Sequence, residues 1–263
     1  MNYKQMIDKL LPVAKKAGQE IMEIYKEDFE VDYKDNNSPL TKADQNSNEV
    51  IVNYLKETYP QMAILSEESK DDKSRLDNKY CFIVDPLDGT KEFVKRNGEF
   101  TVNIALSKNN KSVLGIIYVP VTKEMYYAFE NGGAFYKNED MRDFKQIKVT
   151  DKEKDLNLVM SRSHASDELK QLIENNEDLI KDTKRAGSSL KGCLIAKGKA
   201  EVYFRFNPTM EWDTAAMQII VEEAGGIFKQ LDGTEMRYNR KNSLNDKGFL
   251  VLNKEKNNLL KNK

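Results

Sequence analysis

A strand, a turn and a helix start are predicted by residues 80–93, which read Tyr80-Cys81-Phe82-Ile83-Val84-Asp85-Pro86-Leu87-Asp88-Gly89-Thr90-Lys91-Glu92-Phe93. The apolar, β-forming run leads into Asp85, and Pro86 fixes its own φ angle as in a tight turn. Asp88-Gly89-Thr90 has the composition of a helix N-terminus. Two aspartates are therefore expected close together at the end of a buried strand.

Two aspartates on so short a turn can face one point, where their like charges repel each other. A hard divalent cation with oxygen ligands relieves that repulsion. The N–H groups of Gly89 and Thr90 at a helix start would bind an anion such as phosphate. The segment thus predicts a site for a metal ion and a phosphate group. An ordinary turn with a helix cap is the alternative, because the segment consists of common turn formers.

Two further acidic segments favour the metal site. Glu67-Glu68 follows a predicted strand over residues 62–65, and Trp212-Asp213 precedes a predicted helix. Alone, each is typical of a solvated face or a helix cap. Phosphatases that form an aspartyl phosphate use Asp-x-Asp-x-Thr, and the spacing of Asp85 and Asp88 is one residue longer, which disfavours a covalent aspartate.

The composition leaves most of the chemistry to carboxylates. The 263 residues include 42 Lys and Arg, 43 Asp and Glu and one histidine, His164, for a formal net charge of -1. A single histidine excludes His-rich metal sites, and the near-neutral charge argues against a nucleic-acid partner. Cys81 and Cys193 lie far apart in apolar runs and are predicted to be buried thiols. The sequence has no G-x-x-x-x-G-K-[ST] phosphate loop, signal peptide or apolar run long enough to span a membrane.

The hydrophobic period changes along the chain. Apolar residues at three- and four-residue steps predict helices over residues 2–27 and 38–58. Short β-rich runs joined by Asn and Gly turns follow to about residue 136. The second half alternates, with strands predicted over 158–160, 200–206, 226–229 and 249–252 and helices over 167–175, 189–197 and 214–223. The pattern predicts an α+β half over residues 1–145, with a largely antiparallel sheet, and an α/β half over residues 146–263.

In their order along the chain, Glu67-Glu68, the segment 85–90 and Trp212-Asp213 resemble the three signature motifs of the inositol monophosphatase superfamily of magnesium-dependent, lithium-sensitive phosphatases. The resemblance is closest to the 3'(2'),5'-bisphosphate nucleotidase branch and extends from the first helix to residue 245. Further segments carry it: 89–93, 95–105, 161–164, 187–191 and 205–209. One departure is visible, Asn207 where members often have glycine, and Met210-Glu211 before Trp212 lies at a variable position.

The resemblance implies a metal site and the groups that aim an attacking water. Two or three Mg²⁺ ions would be held by four carboxylates and one backbone carbonyl, those of Glu67, Asp85, Leu87, Asp88 and Asp213. Thr90 and Asp44 match the pair that orients the water for in-line attack on phosphorus and accepts its proton, and Glu67 is implied in catalysis as well. Without the resemblance, Asp44 is an acid in the first turn of a helix.

The resemblance also implies a nucleotide pocket in the second half. Ser188, Lys191 and Arg205 match positions that line the nucleotide site and suit a 5'-phosphate that is not cleaved, and His164 matches a position near the nucleoside. Alone, these residues are typical of a helix cap, surface cations and a half-buried imidazole. The implied substrate contacts include residues of the metal site, namely Glu67, Leu87, Asp88, Gly89, Thr90 and Asp213.

We therefore expect a layered αβαβα sandwich and a Mg²⁺-dependent phosphatase that hydrolyses the 3'-phosphate of adenosine 3',5'-bisphosphate, without a covalent intermediate, in sulfur assimilation. The resemblance leaves open whether the activated sulfate donor, which also carries a 3'-phosphate, is cleaved. We expect a cytoplasmic monomer or homodimer without an integral membrane segment, and peripheral attachment to the inner face of the cell membrane stays open. The alternatives are an inositol or fructose bisphosphate phosphatase of the same superfamily and a catalytically silent nucleotide or metal sensor.

Overall fold

Two helices begin the fold. The structure, a computed structural model, describes residues 1–26, 32–33, 39–40, 42–71, 73–162 and 166–261. Helix α1 spans Tyr3–Tyr25 and begins after Asn2, whose side-chain oxygen accepts a 3.0 Å hydrogen bond from the Gln5 N–H. Helix α2 spans Lys42–Thr58.

The predicted start of the second helix at residue 38 is wrong. Strand β2, Pro39–Leu40, pairs there with strand β1, Asp32–Tyr33, in an antiparallel arrangement. Proline disfavours the helical conformation of the residue before it and has no N–H for a helical hydrogen bond beyond the first turn. The helix therefore begins after this pair.

A seven-stranded sheet follows, in the order β3-β4-β5-β6-β7-β8-β9. Strand β3 pairs with β4 in parallel, and all other neighbours are antiparallel, which confirms the predicted largely antiparallel sheet. The short helix α3, Thr90–Val94, lies between β4 and β5 in sequence. The strands are Ala63–Ser66, Tyr80–Asp88, Thr101–Lys108, Lys111–Val119, Glu124–Phe129, Gly133–Lys137 and Lys145–Ile147.

A five-stranded sheet, in the order β11-β10-β12-β16-β14, occupies the second half. Its strands are β10 Leu156–Ser161, β11 Ile180–Ala186, β12 Val202–Arg205, β14 Ile227–Gln230 and β16 Phe249–Leu252. The predicted helices are present as α4 Asp167–Glu174, α5 Leu190–Ala196 and α6 Glu211–Glu223. A separate pair joins β13, Thr209–Met210, to β15, Leu244–Asn245.

Alternating side chains sort the core into layers. In β4, Phe82 and Val84 pack with α1 and α2, whereas Cys81 and Ile83 face the opposite side and pack with α5, α6 and the second sheet. A third cluster joins the far face of the second sheet to α4. Since successive strand residues point to opposite faces, one sheet separates two helical layers. The layers are α1–α2, the seven-stranded sheet, α5–α6, the five-stranded sheet and α4, which confirms the predicted αβαβα sandwich.

The boundary between the two predicted halves falls inside β9, Lys145–Ile147, which pairs with β8. The division into residues 1–145 and 146–263 stays a prediction. Among the described residues, no helix is both long and apolar enough to cross a membrane. Cys81 and Cys193 are buried free thiols, as predicted.

Candidate active site

Asp85 and Asp88, the two aspartates of residues 80–93, come together through a bulge in β4. Asp85 pairs with Asn103 of β5 and Asp88 pairs with Thr101, so three steps along β4 match two steps along β5. An irregularity of this kind inserts one residue and turns the following side chain to the same face of the sheet. Strand β4 continues through Pro86 instead of ending before it, and Gly89, with φ of 98°, leads into α3.

A third carboxylate reaches this point from the second half of the chain. Asp213 lies in the first turn of α6, where its Oδ2 accepts a 2.7 Å hydrogen bond from the Met210 N–H. One oxygen atom from each of Asp85, Asp88 and Asp213 lies within 4.8 Å of the others. The start of α6 therefore completes a cluster of three carboxylates at the bulge.

Crowding and burial favour the protonated forms of these acids. Burial raises the pKa of Asp85 well above its usual range, and the charges of Glu67, Asp88 and Asp213 raise it further. Burial, followed by the charge of Asp88, raises the pKa of Asp213 to about 8. A cation among the three groups would offset the repulsion between the ionised carboxylates. A set of carboxylate oxygens suits a hard divalent ion. The donor set therefore fits Mg²⁺.

Polar groups around Asp88 fix its orientation. The Ser189 hydroxyl lies 2.8 Å from Asp88 Oδ2 and 3.1 Å from the Asp213 carbonyl oxygen. The Asn103 amide donates to the same Asp88 oxygen at 3.2 Å and to Ser189 Oγ at 2.9 Å. Burial raises the Asp88 pKa, while Lys191, Ser189 and Asn103 act in the opposite direction. Sequence reasoning assigned no role to Asn103 or Ser189, although a polar residue inside the apolar run of β5 was a usable signal.

A pocket of about 160 Å³ opens beside the carboxylates. It brings together six of the predicted site residues: Asp88, Gly89, Ser188, Lys191, Arg205 and Asp213. Further lining residues were not predicted, among them Glu92, Ser161, Tyr203 and Thr209. Lys191 donates to the Ser188 carbonyl at 2.5 Å, and its ammonium lies 5.6 Å from the centre of the Tyr203 ring. Burial lowers the Lys191 pKa to about 8, opposed first by the charge of Asp88.

The remaining predicted residues lie around the cluster. Glu67 follows β3 and donates its N–H to the Val84 carbonyl, and its charge is the first of the neighbouring charges that raise the Asp85 pKa. Asp44 is buried in the first turn of α2, and its charge also acts on Asp85. Leu87 is buried in β4, and Thr90 is the half-buried first residue of α3. His164 lies outside the described residues.

Comparison with known proteins identifies the class. The sequence matches the inositol monophosphatase family over residues 2–262, and the chain belongs to this family. The 3'(2'),5'-bisphosphate nucleotidase CysQ of Salmonella typhimurium is 42% identical over 249 residues, which cover 94% of this chain and 99% of the relative. CysQ of Escherichia coli K12 shows the same identity and coverage.

Solved structures agree with the sequence relatives. CysQ from Bacteroides thetaiotaomicron, described as a bacterial member of the inositol monophosphatase family, has 41% identity and a TM-score of 0.84, covering 97% of this chain and 99% of its own. The extragenic suppressor protein suhB from Bartonella henselae has 26% identity and a TM-score of 0.82. The family resemblance inferred from the sequence is confirmed.

Proposed function

We propose that this protein is a Mg²⁺-dependent phosphatase that hydrolyses the 3'-phosphate of adenosine 3',5'-bisphosphate to AMP and phosphate. One observation carries the proposal: the carboxylate cluster and the basic pocket adjoin, and Asp88 and Asp213 belong to both. A substrate with two phosphates would place one group at the cluster and the other beside Lys191 and Arg205. The name of the CysQ relatives, 3'(2'),5'-bisphosphate nucleotidase, supports this assignment.

In the proposed mechanism, Asp85, Asp88 and Asp213 would hold Mg²⁺ through carboxylate oxygens, and Glu67 and the Leu87 carbonyl would complete a site for two or three ions. When bound, the ions supply positive charge that neutralises the scissile phosphate and makes a water molecule more acidic. Asn103 and Ser189 hold the Asp88 carboxylate in place by the hydrogen bonds described above. Such outer partners keep a ligand in its binding orientation.

The attacking water is oriented by the protein. The Thr90 hydroxyl and the Asp44 carboxylate act as a pair that directs the oxygen in line with phosphorus and takes its proton, and Glu67 takes part in catalysis as well. The new bond joins the water oxygen to phosphorus, the bond from phosphorus to the 3'-oxygen breaks, and the 3'-oxygen takes a proton from a second water molecule. No side chain forms a covalent intermediate.

The second phosphate is recognised by Ser188, Lys191 and Arg205. Burial of Lys191 near Arg205 disfavours its ammonium form, and an incoming phosphate dianion favours it again. Gly89 and Thr90 offer backbone N–H groups to the phosphate that is cleaved, and His164 is the proposed neighbour of the nucleoside. The family resemblance further supports a role in sulfur assimilation, in the cytoplasm, by a monomer or homodimer acting on a free nucleotide.

The test is phosphate release from three substrates, each with Mg²⁺ and with added EDTA: adenosine 3',5'-bisphosphate, inositol 1-phosphate and fructose 1,6-bisphosphate. We expect EDTA-sensitive release with a strong preference for the nucleotide. Preference for inositol or fructose phosphate would contradict the roles of Lys191 and Arg205. The absence of release from all three would favour a silent sensor that kept the fold.

A further inference from the structure

The Glu99 carboxylate connects the two halves of the chain beside the pocket. It precedes β5 and accepts two hydrogen bonds from the Arg162 guanidinium, Nε to Oε2 at 2.7 Å and Nη2 to Oε1 at 2.6 Å. The Gly187 N–H donates to Oε2 at 2.8 Å. Arg162 also donates to the Arg185 carbonyl of β11 at 3.2 Å. The carboxylate therefore accepts three hydrogen bonds from the second half of the chain.

The backbone of Glu99 contacts the same turn. Its carbonyl oxygen accepts a 3.0 Å hydrogen bond from the Ser188 hydroxyl. A Cβ atom built on Gly187 would lie 2.5 Å from that carbonyl oxygen and 2.9 Å from the Glu99 Cβ. No larger residue fits at position 187, because the two backbones approach too closely. Glu99 thus contacts the turn at Gly187 and Ser188 with both its backbone and its side chain.

The turn that Glu99 holds has a strained backbone. Ser188 has a φ of 40°, in the left-handed region that residues with a Cβ rarely adopt. Such a conformation persists only where the surroundings over-determine it. The contacts of Glu99 with Gly187 and Ser188 hold the Ser188 backbone in this conformation. The consequence reaches the pocket through Lys191, whose ammonium donates to the Ser188 carbonyl, whereas the Asp88 carboxylate also has a donor outside this turn, the Asn103 amide.

We propose that Glu99, clamped by Arg162, is a positioning residue for binding of the phosphate that is not cleaved. It maintains the backbone of Gly187 and Ser188 and thereby places the Lys191 ammonium in the pocket. The inference rests on the proposed function. Exposed ion pairs contribute little as a rule. This one differs because the guanidinium binds in a bidentate geometry and backbone groups of the turn hold the same residue.

The test compares two substrates that differ by a single phosphate, adenosine 3',5'-bisphosphate and adenosine 3'-monophosphate. For Glu99→Ala we expect KM for the bisphosphate to rise about 10-fold with kcat within about twofold. The kinetic constants for the monophosphate should stay within about twofold, since that substrate has no second phosphate to place beside Lys191. Arg162→Ala should behave in the same way, and the double variant should be no worse than Glu99→Ala, because both residues act in one unit.

Two further variants control for stability and for charge. Glu139→Ala removes an exposed carboxylate that pairs with a lysine, Lys123, and should leave both substrates unaffected. Glu99→Gln retains an oxygen acceptor for the Gly187 N–H and should give a smaller rise in KM than Glu99→Ala. If Glu99→Ala does not fold, as judged by its thermal unfolding, Glu99→Gln and Arg162→Ala decide the question.

The outcomes separate this inference from the proposed function. Equal losses on both substrates, a loss confined to kcat, or an unchanged KM in an active protein would overturn the positioning role and leave the phosphatase assignment standing. If the unmodified protein releases no phosphate from the bisphosphate, the proposed function fails and the inference fails with it.

Discussion

The substitution Gly115→Ala tests how packing between β6 and α6 sets the metal site. Gly115 lies in β6 under helix α6, and its strand neighbours are Ala105 and Ala128, so the helix packs into a trough of small residues. A Cβ atom at position 115 would lie 2.7 Å from the Ala216 carbonyl oxygen and 3.0 Å from the Ala216 Cα. Both atoms belong to the helix backbone, which cannot rotate away as a side chain can.

The expected magnitude follows from these distances. Ordinary contact between carbon atoms begins near 3.5 Å, so the helix must move by roughly 0.5–1 Å. Overpacking of this kind costs about 1–3 kcal/mol, which corresponds to a fall in Tm of roughly 2–10 °C for a chain of this length. Asp213 lies three residues before Ala216 and moves with the helix. Mg²⁺ tolerates little departure from its preferred geometry. We therefore expect the Mg²⁺ concentration that gives half-maximal activity to rise about 10-fold.

The assay combines thermal unfolding in EDTA with phosphate release over a Mg²⁺ series. Gly233→Ala is the control: its φ of +84° makes alanine unfavourable, but the added Cβ meets nothing within 4 Å. We expect the control to lower Tm without changing the Mg²⁺ series. A normal Mg²⁺ requirement in Gly115→Ala, together with a lowered Tm, would refute the idea that this contact positions Asp213. An unchanged Tm would refute the packing argument itself.

Three further substitutions test the site and the core. Asp88→Asn should lower turnover roughly 100-fold or more while Tm in EDTA stays equal or rises, because a metal carboxylate is lost and the repulsion within the cluster falls; phosphate release and thermal unfolding measure the two effects. Lys191→Ala should lower kcat/KM for adenosine 3',5'-bisphosphate about 10- to 100-fold, the loss of a charged hydrogen bond, and should affect inositol 1-phosphate far less; equal losses would contradict the phosphate contact. Burial raises the Glu222 pKa from 4.5 to about 7, so its contribution to stability is complete below pH 4.5 and is lost as the pH rises through 7. Glu222→Gln, which keeps an oxygen for the Gln218 amide, should therefore raise Tm at pH 8 more than at pH 5, and an equal shift at both values would contradict the assignment.

The segment around Asp85 shows what the sequence could predict. Its residue types predicted two carboxylates close together, and Asp85 and Asp88 do lie together in the structure. The expected geometry was a tight turn at Pro86, whereas the strand continues and a bulge rotates Asp88 to the face of Asp85. Bulges depend on pairing with the neighbouring strand, so the register with Asn103 and Thr101 could not be predicted from the segment alone.

Residues far apart in sequence were placed less well by local patterns. The local pattern predicted Asp213 only as an acid at a helix start. Its place in a metal site with Asp85 and Asp88 was implied only by the order of the family motifs. Strand β11 was missed because its residues, Ile180–Ala186, are mostly polar and exposed at the sheet edge, and no alternation marks them. Such a strand forms because β10 offers it hydrogen-bonding partners. Tertiary pairing therefore decides elements that local pattern leaves undefined.

Glu211 gives the clearest case of a role that sequence reasoning overlooked. The sequence interpretation placed it at a variable position, yet it is completely buried at the start of α6. Its carboxylate accepts hydrogen bonds from the N–H groups of Asn239 and Arg240, at 2.5 and 2.9 Å. The Asn239 side chain in turn accepts a 2.8 Å bond from Arg75, which follows β3 in the first half of the chain. The N-terminus of α6 is thus held by a series of hydrogen bonds that ends at Arg75, in the segment between β3 and β4. Asp213, two residues further along the helix, can keep its place among buried like charges because this anchorage resists their repulsion.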